Sequence, residues 1–173
     1  MTLIDNDGAP LGRRRMVMWN PPIIDEVLNL RRSSMVDAAQ VLAEFVRNEV
    51  RTICFTKSRR SAETVYQRTV NILQDTAPDL AGRLSPYRAG YTPAQRRGIE
   101  ERLFSGDLLA VVSTNALELG IDVGALDAAI TVGYPGTVAS LWQQWGRAGR
   151  GKSDSVAVLI AGSDALEQFF VRH

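Results

Sequence analysis

The sequence predicts a doubly wound α/β domain with a mainly parallel sheet, on three observations. Short apolar runs alternate with segments of helical periodicity along the chain. The runs at 51–56 (RTICFT), 108–114 (LLAVVST), 127–132 (DAAITV) and 155–161 (SVAVLIA) lack polar alternation, as strands covered on both faces do. A length of 173 residues, 45% apolar and 23% charged, suits one ordinary hydrophobic core and excludes a disordered chain.

Each element has a local reason. Residues 3–19 (LIDNDGAPLGRRRMVMW) predict a β-hairpin around the turn signal Asp7-Gly8, and Asn20-Pro21-Pro22 stops its second strand. Ser34-x-x-Asp37 has the spacing of a capping box, followed by Leu42, Phe45 and Val46 as a buried helical stripe. After the strand at 51–56, Val65, Thr69, Ile72 and Leu73 repeat at helical spacing. A short extended segment follows at 85–90 (SPYRAG). Thr92-Pro93-Ala94-Gln95 then opens a helix with a capping threonine, proline in the first turn and glutamine three residues on, and Gly106 ends it. Further helical stretches fall at 116–119, at 138–145 and after Asp164.

Composition removes several function classes. Cys54 is the sole cysteine and His173 the sole histidine, so internal disulfides, cysteine-rich zinc sites and histidine-based catalysis are excluded. No run reaches the roughly 20 apolar residues of a membrane span, and no signal pattern opens the chain, so a cytoplasmic protein without membrane contact is expected. The net charge of +1 says little, but the cations are two lysines against eighteen arginines. They cluster at Arg13–Arg15, Arg31-Arg32, 57–60 and 147–152. Guanidinium forks suit phosphate oxygens, although a GC-rich genome gives the same bias and charge runs are commonly solvated faces.

Residues 142–153 (WQQWGRAGRGKS) can be parsed in two ways. Gly146-x-x-x-x-Gly151-Lys152-Ser153 matches a phosphate-cradling P-loop and allows a self-contained nucleotide hydrolase using Lys152 and Ser153. A P-loop lies after a strand and before a helix, however, and here the predicted order is helix, motif, strand. Gln143-x-x-Gly146-Arg147-x-x-Arg150 fits the context instead: a helix ending in glycine with two arginines three apart on one loop. On its own that stretch could equally be a basic helix C-terminus complementing its dipole.

Taken in order, the segments resemble motifs IV to VI of superfamily-two helicases. ICFTKSRRSAE from Ile53 is similar to motif IV, and YRAGYTPAQRRGIE from Tyr87 to the segment that follows it. Thr114 with Gly120-Ile121-Asp122 is similar to motif V, and Gln143 to Arg150 to motif VI. The wording from Thr114 to Arg150, with WNPP at 19–22, resembles more narrowly the MrfA-type repair helicases. The resemblance implies a three-layer α/β/α RecA-like lobe over 23–173, with 1–22 as a hairpin or linker from a preceding lobe.

It also implies roles. ATP with Mg²⁺ is held mainly by a first lobe that these residues do not contain. Arg147 and Arg150 match arginine fingers reaching that ATP, Gln143 lies at the motif's leading polar position, and Gly120 and Asp122 contribute on the nucleotide side. Thr114, Lys57, Ser58, Arg59, Arg88 and Gly90 lie where the family grips the nucleic-acid backbone. The implied function is the C-terminal motor lobe of an ATP-dependent DNA helicase, inactive as an ATPase alone and serving DNA repair. Its implied partners are single-stranded or duplex DNA, with RNA not excluded, and the N-terminal lobe of the same protein. A non-catalytic nucleic-acid-binding module stands as a further alternative.

Overall fold

The computed structural model describes residues 12–88, 90–114, 126–149 and 153–171. Its elements in chain order are β1 (Arg14–Trp19), β2 (Ile23–Asp25), β3 (Leu30–Arg31), α1 (Ser34–Arg47), β4 (Thr52–Thr56) and α2 (Arg59–Thr76). After a 3-10 turn come β5 (Leu84–Tyr87), α3 (Pro93–Ser105), β6 (Ala110–Ser113), β7 (Ala128–Val132), α4 (Val138–Trp145), β8 (Ser155–Ile160) and α5 (Ala165–Phe170). Six strands form one sheet in the order β1-β8-β7-β4-β6-β5, and every pairing in it is parallel. This is the mainly parallel RecA-like α/β fold that the sequence predicts.

The unbroken apolar runs are explained by helices on both faces. Along β4, Cys54 faces one core while Ile53 and Phe55 face the other. On β8, Val158 and Ile160 join the first core, and Ala157 and Leu159 the second. The first core is closed by Leu42 and Val46 of α1 with Val65 and Leu73 of α2; the second by Leu103 of α3 with Leu141 and Trp145 of α4. Alternate residues of a strand point to opposite faces, so burial of both faces favours apolar residues at successive positions, and buried hydroxyls such as those of Thr52 and Thr131 are hydrogen-bonded. Burial pushes the Cys54 thiol up to about 12, which makes it an inert core group rather than a nucleophile.

One local expectation is corrected and another gains a partner. The strand 14–19 lies parallel to β8, from Arg14 beside Ser155 to Trp19 beside Ile160, as an edge strand of the main sheet. The turn Asp7-Gly8 and the arm before it lie outside the described residues, and the antiparallel hairpin that is described near the N-terminus is β2–β3, just after Pro21-Pro22. The corrected expectation is Ser34-x-x-Asp37, which is not a capping box. Ser33 occupies the cap position and makes no side-chain cap bond. The Asp37 carboxylate, 1% exposed, is instead taken by the Trp19 indole N–H at 2.7 Å and by the Arg32 guanidinium. A charged pair with an indole donor outcompetes a single backbone amide for that carboxylate. By contrast, the Thr92–Gln95 capping box is complete, and Gly106 closes α3 at φ +84°.

Asp37 thus ties the chain at Trp19 to the first core. Asp37→Ala removes the acceptor of both donors and is expected to cost about 1–3 kcal/mol, read as a lower urea midpoint with unchanged slope.

Candidate nucleic-acid and nucleotide interfaces

In a parallel sheet all strands end at one rim, and the strand order decides which loops become neighbours there. The order β4-β6-β5, ending at one edge of the sheet, sets the loops after Thr56, Ser113 and Tyr87 side by side. These loops carry Lys57, Ser58 and Arg59, then Thr114, then Arg88 and Gly90. Segments separated by up to about 60 positions in sequence therefore share one edge, where open α/β sheets bind ligands.

Each side chain on this rim has a definite setting. Ser58 caps α2, its hydroxyl accepting from the Ser61 amide at 3.1 Å and bonding the Ser61 hydroxyl at 2.8 Å. The Thr56 hydroxyl reaches Ser58 O at 3.1 Å and Ser113 O at 3.3 Å, tying the first loop to the end of β6. Thr114, half-buried, follows directly, its carbonyl accepting from the Ser113 hydroxyl at 2.9 Å. Lys57 Nζ lies 2.5 Å from Glu167 Oε1 of α5, a carboxylate only 3% exposed. Gly133, at φ +76°, leaves room for the Lys57 stem: a Cβ there would come within 2.7 Å of Lys57 Cε.

Arg59, Arg88 and Gly90 converge on one open cleft of about 600 Å³. Arg60, Glu63 and Tyr91 complete its lining, and Glu63 pairs with the Arg88 guanidinium. Tyr91 stands edge-on to Tyr87, centroids 6.4 Å apart. Burial, and then the Glu100 carboxylate that accepts its proton at 3.0 Å, push the Tyr87 hydroxyl up to about 12, so it stays a donor. Sequence reading named three of the six cleft residues among those described. Arg60 follows Arg59 within a basic cluster already noted, but Glu63 gave no signal because its partner Arg88 is 25 positions away.

Gln143 and Arg147 lie away from this edge. Helix α4, capped by the Thr137 hydroxyl at 3.0 Å from the Ser140 amide, runs back from the strand-end rim. It ends beside the start of β7, where Ala148 bridges Leu126 and the Gly149 amide donates to Leu126 O at 2.9 Å. Gln143 is exposed on α4 and Arg147 half-buried just past its end. The neighbouring Gln144 is buried instead, its amide oxygen accepting from Thr131 at 3.0 Å. Trp145 is buried, and Trp142 leans on it edge-to-face, half-exposed. Arg14, which sequence reading left as surface, donates from Nη2 to Ala148 O at 2.9 Å and so braces the loop that carries Arg147. Gly120, Asp122, Arg150 and Lys152 lie outside the described residues.

The order helix, Gly-rich loop, strand is as the second parsing requires. After Ser153 comes β8, starting at Ser155, so no helix N-terminus is aimed back at Gly146–Ser153. Among the described residues no three His, Cys, Asp or Glu side chains converge to hold a metal ion, and no helix is long and apolar enough to cross a membrane.

A lobe built on an all-parallel six-stranded sheet, with a basic rim where its strands end and an arginine-bearing loop where they begin, has the layout of a helicase motor domain. Residues 37–152 match the family described as the helicase conserved C-terminal domain. The chain belongs to that family, as the second RecA-like lobe of a superfamily-two helicase of the MrfA type. It is 44% identical over its whole length to the uncharacterized ATP-dependent helicase YprA of Bacillus subtilis, of which it covers 23%. It is 42% identical, again over its whole length, to the ATP-dependent helicase HRQ1 of Saccharomyces cerevisiae, covering 16% of that protein. The crystal structures of the helicase MrfA bound to DNA, and to DNA and AMPPNP, superpose with TM-scores of 0.91 and 0.89 at 44% and 43% identity. All of this chain and 23–24% of MrfA are covered in those superpositions. The chain thus spans about a quarter or less of the relatives it matches.

The Arg147 loop depends on Gly149, which sits at φ +78° with a virtual Cβ only 2.3 Å from Ser155 Oγ. Gly149→Ala forces a left-handed alanine into that space and should cost about 1–2 kcal/mol. The measurement is denaturant unfolding; an unchanged midpoint would show that the loop relaxes freely.

Proposed function

We propose that this chain is the C-terminal motor lobe of an ATP-dependent DNA helicase acting in DNA repair, reached through residues 1–22 from a preceding lobe of the same polypeptide. The observation that carries the reading is the separation of the two rims. Arg147, with Gln143 on the preceding helix, stands where strands begin; Lys57, Ser58, Arg59, Thr114, Arg88 and Gly90 stand where they end. MrfA, captured with both DNA and AMPPNP, gives the class of each ligand.

In this reading ATP and its Mg²⁺ are held mainly by the first lobe, and this chain supplies what crosses the cleft. Arg147 and Arg150 place guanidinium groups at the γ-phosphate, neutralising charge on its equatorial oxygens as it transfers. Gln143 hydrogen-bonds beside the phosphates, and Gly120 and Asp122 contribute from the β6–β7 connection. The bound nucleotide supplies the phosphoryl group, and the chain's own share is positive charge at a fixed position. The opposite rim grips phosphates of one strand, a contact blind to base sequence. Lobe closure on ATP and reopening after hydrolysis then move that grip along the strand.

In the two-lobe protein, Arg147→Ala and Arg150→Ala should each lower ATPase turnover by roughly 10³- to 10⁵-fold, with DNA binding retained. Lys152→Ala should cost far less. The 173-residue chain alone should turn over essentially no ATP in a steady-state phosphate-release assay. Robust hydrolysis by it, abolished by Lys152→Ala, would establish the self-contained P-loop enzyme instead.

A further inference from the structure

Two cations of the strand-end rim are already engaged by carboxylates, and the two pairs differ in kind. Lys57 is held by Glu167, which is 3% exposed and also accepts from the Gly162 amide. Pulling Lys57 away would strand a buried charge, so that pair is fixed. Arg88 is held by Glu63, and their side chains are 47% and 39% exposed. Water can take over from Arg88 at little cost, and the other Glu63 oxygen already accepts from Gln67 Nε2 at 3.2 Å. Among the described residues, Glu63 is also the one acid in a cleft lined by Arg59, Arg60 and Arg88. A guanidinium fork receives a carboxylate or a phosphate with the same planar geometry.

We propose that Glu63 is a built-in competitor for backbone phosphate, occupying Arg88 until a single strand of nucleic acid enters the cleft. The proposal rests on the reading of Arg88 as a backbone contact. Entry exchanges one ion pair for another: the phosphate takes the Arg88 guanidinium, and Glu63 swings to solvent still held by Gln67, with no bond made or broken. The cleft is larger than one phosphate requires, and the Tyr91 ring on its wall offers a surface on which an unpaired base can stack. The device keeps the grip weak between steps, so that the lobe can release as readily as it binds.

Competition has a signature that a scaffolding role lacks. An exposed ion pair is worth little, so Glu63→Gln should tighten binding only about two- to fivefold. Glu63 also cancels one positive charge that the cleft presents to the strand. Its removal should therefore steepen the logarithmic salt dependence, by at most about 0.7, the counterions released per phosphate neutralised on a single strand. The test titrates a fluorescent oligothymidylate with the intact chain by anisotropy across a potassium chloride series. The variants are Glu63→Gln, Arg88→Ala and the double substitution. The expected result is tighter, more salt-sensitive binding by Glu63→Gln, weaker binding by Arg88→Ala, and no effect of Glu63→Gln once Arg88 is alanine. If Arg88→Ala weakens binding while Glu63→Gln weakens it or leaves it unchanged, the competitor is overturned and Arg88 remains a contact. A Glu63→Gln gain that persists without Arg88 is a general field effect and also overturns it. If Arg88→Ala changes nothing, the backbone-contact reading of Arg88 fails, and the inference with it.

Discussion

A parallel sheet covered by helices on both faces leaves only its two ends for chemistry, and most of the organisation of this lobe follows from that. Every position of β4, β6 and β7 is buried, so no side chain there can meet a ligand. Reactive groups are confined to the loops where strands end and those where strands begin, and to the helix turns that adjoin them. Because the strands are parallel, these are two distinct edges separated by the length of a strand, about 15–20 Å at roughly 3.3 Å per residue. A nucleotide and a nucleic acid can thus be served by one rigid body without competing for space.

Helix α4 connects the edges. It starts after β7 at the strand-end rim and delivers the Arg147 loop to the other. Its placement does not depend on apolar packing alone: the buried Gln144–Thr131 bond sets its rotation, since turning the helix would leave a polar group unsatisfied in the core. That rotation exposes Gln143 and buries Trp145. Beyond it, the contacts of Gly149 with Leu126, just before β7, and of Arg14 on β1 with Ala148 hold the loop from two sides. The chain's first described strand therefore braces the very loop proposed to reach ATP.

The entering segment is tied down as firmly. Trp19 donates to Asp37, and Asn20 exchanges amide hydrogen bonds with Gln168 at 3.2 and 3.0 Å. Gln168 neighbours Glu167, which holds Lys57. Short helix α5 thus joins the segment at 19–22 to the strand-end rim through adjacent residues. The segment at 19–22 is thus hydrogen-bonded to both α1 and α5 rather than left as a loose tether.

Local physics made much of this legible in the sequence. The double-sided apolar runs identified the buried parallel strands, and Thr92-Pro93-Ala94-Gln95 and Gly106 marked both ends of α3 because caps are local by nature. Motif order exposed the family, and the succession helix, Gly-rich loop, strand rejected the P-loop match at 146–153, because a phosphate cradle needs a helix beginning where here β8 begins. Pairings between distant residues were not legible. Asp37 looked like a cap but serves Trp19 and Arg32; the pairing of strand 14–19 with β8 had no local sign; Arg14 looked like surface but binds Ala148, and nothing near Glu63 announced its pairing with Arg88. The sequence by itself determined which segments are buried and what chemistry each loop carries, since both depend on side-chain type and period. Only the tertiary structure decided which charges meet, because strand order sets the neighbours of a charged side chain and that order is written in no single segment.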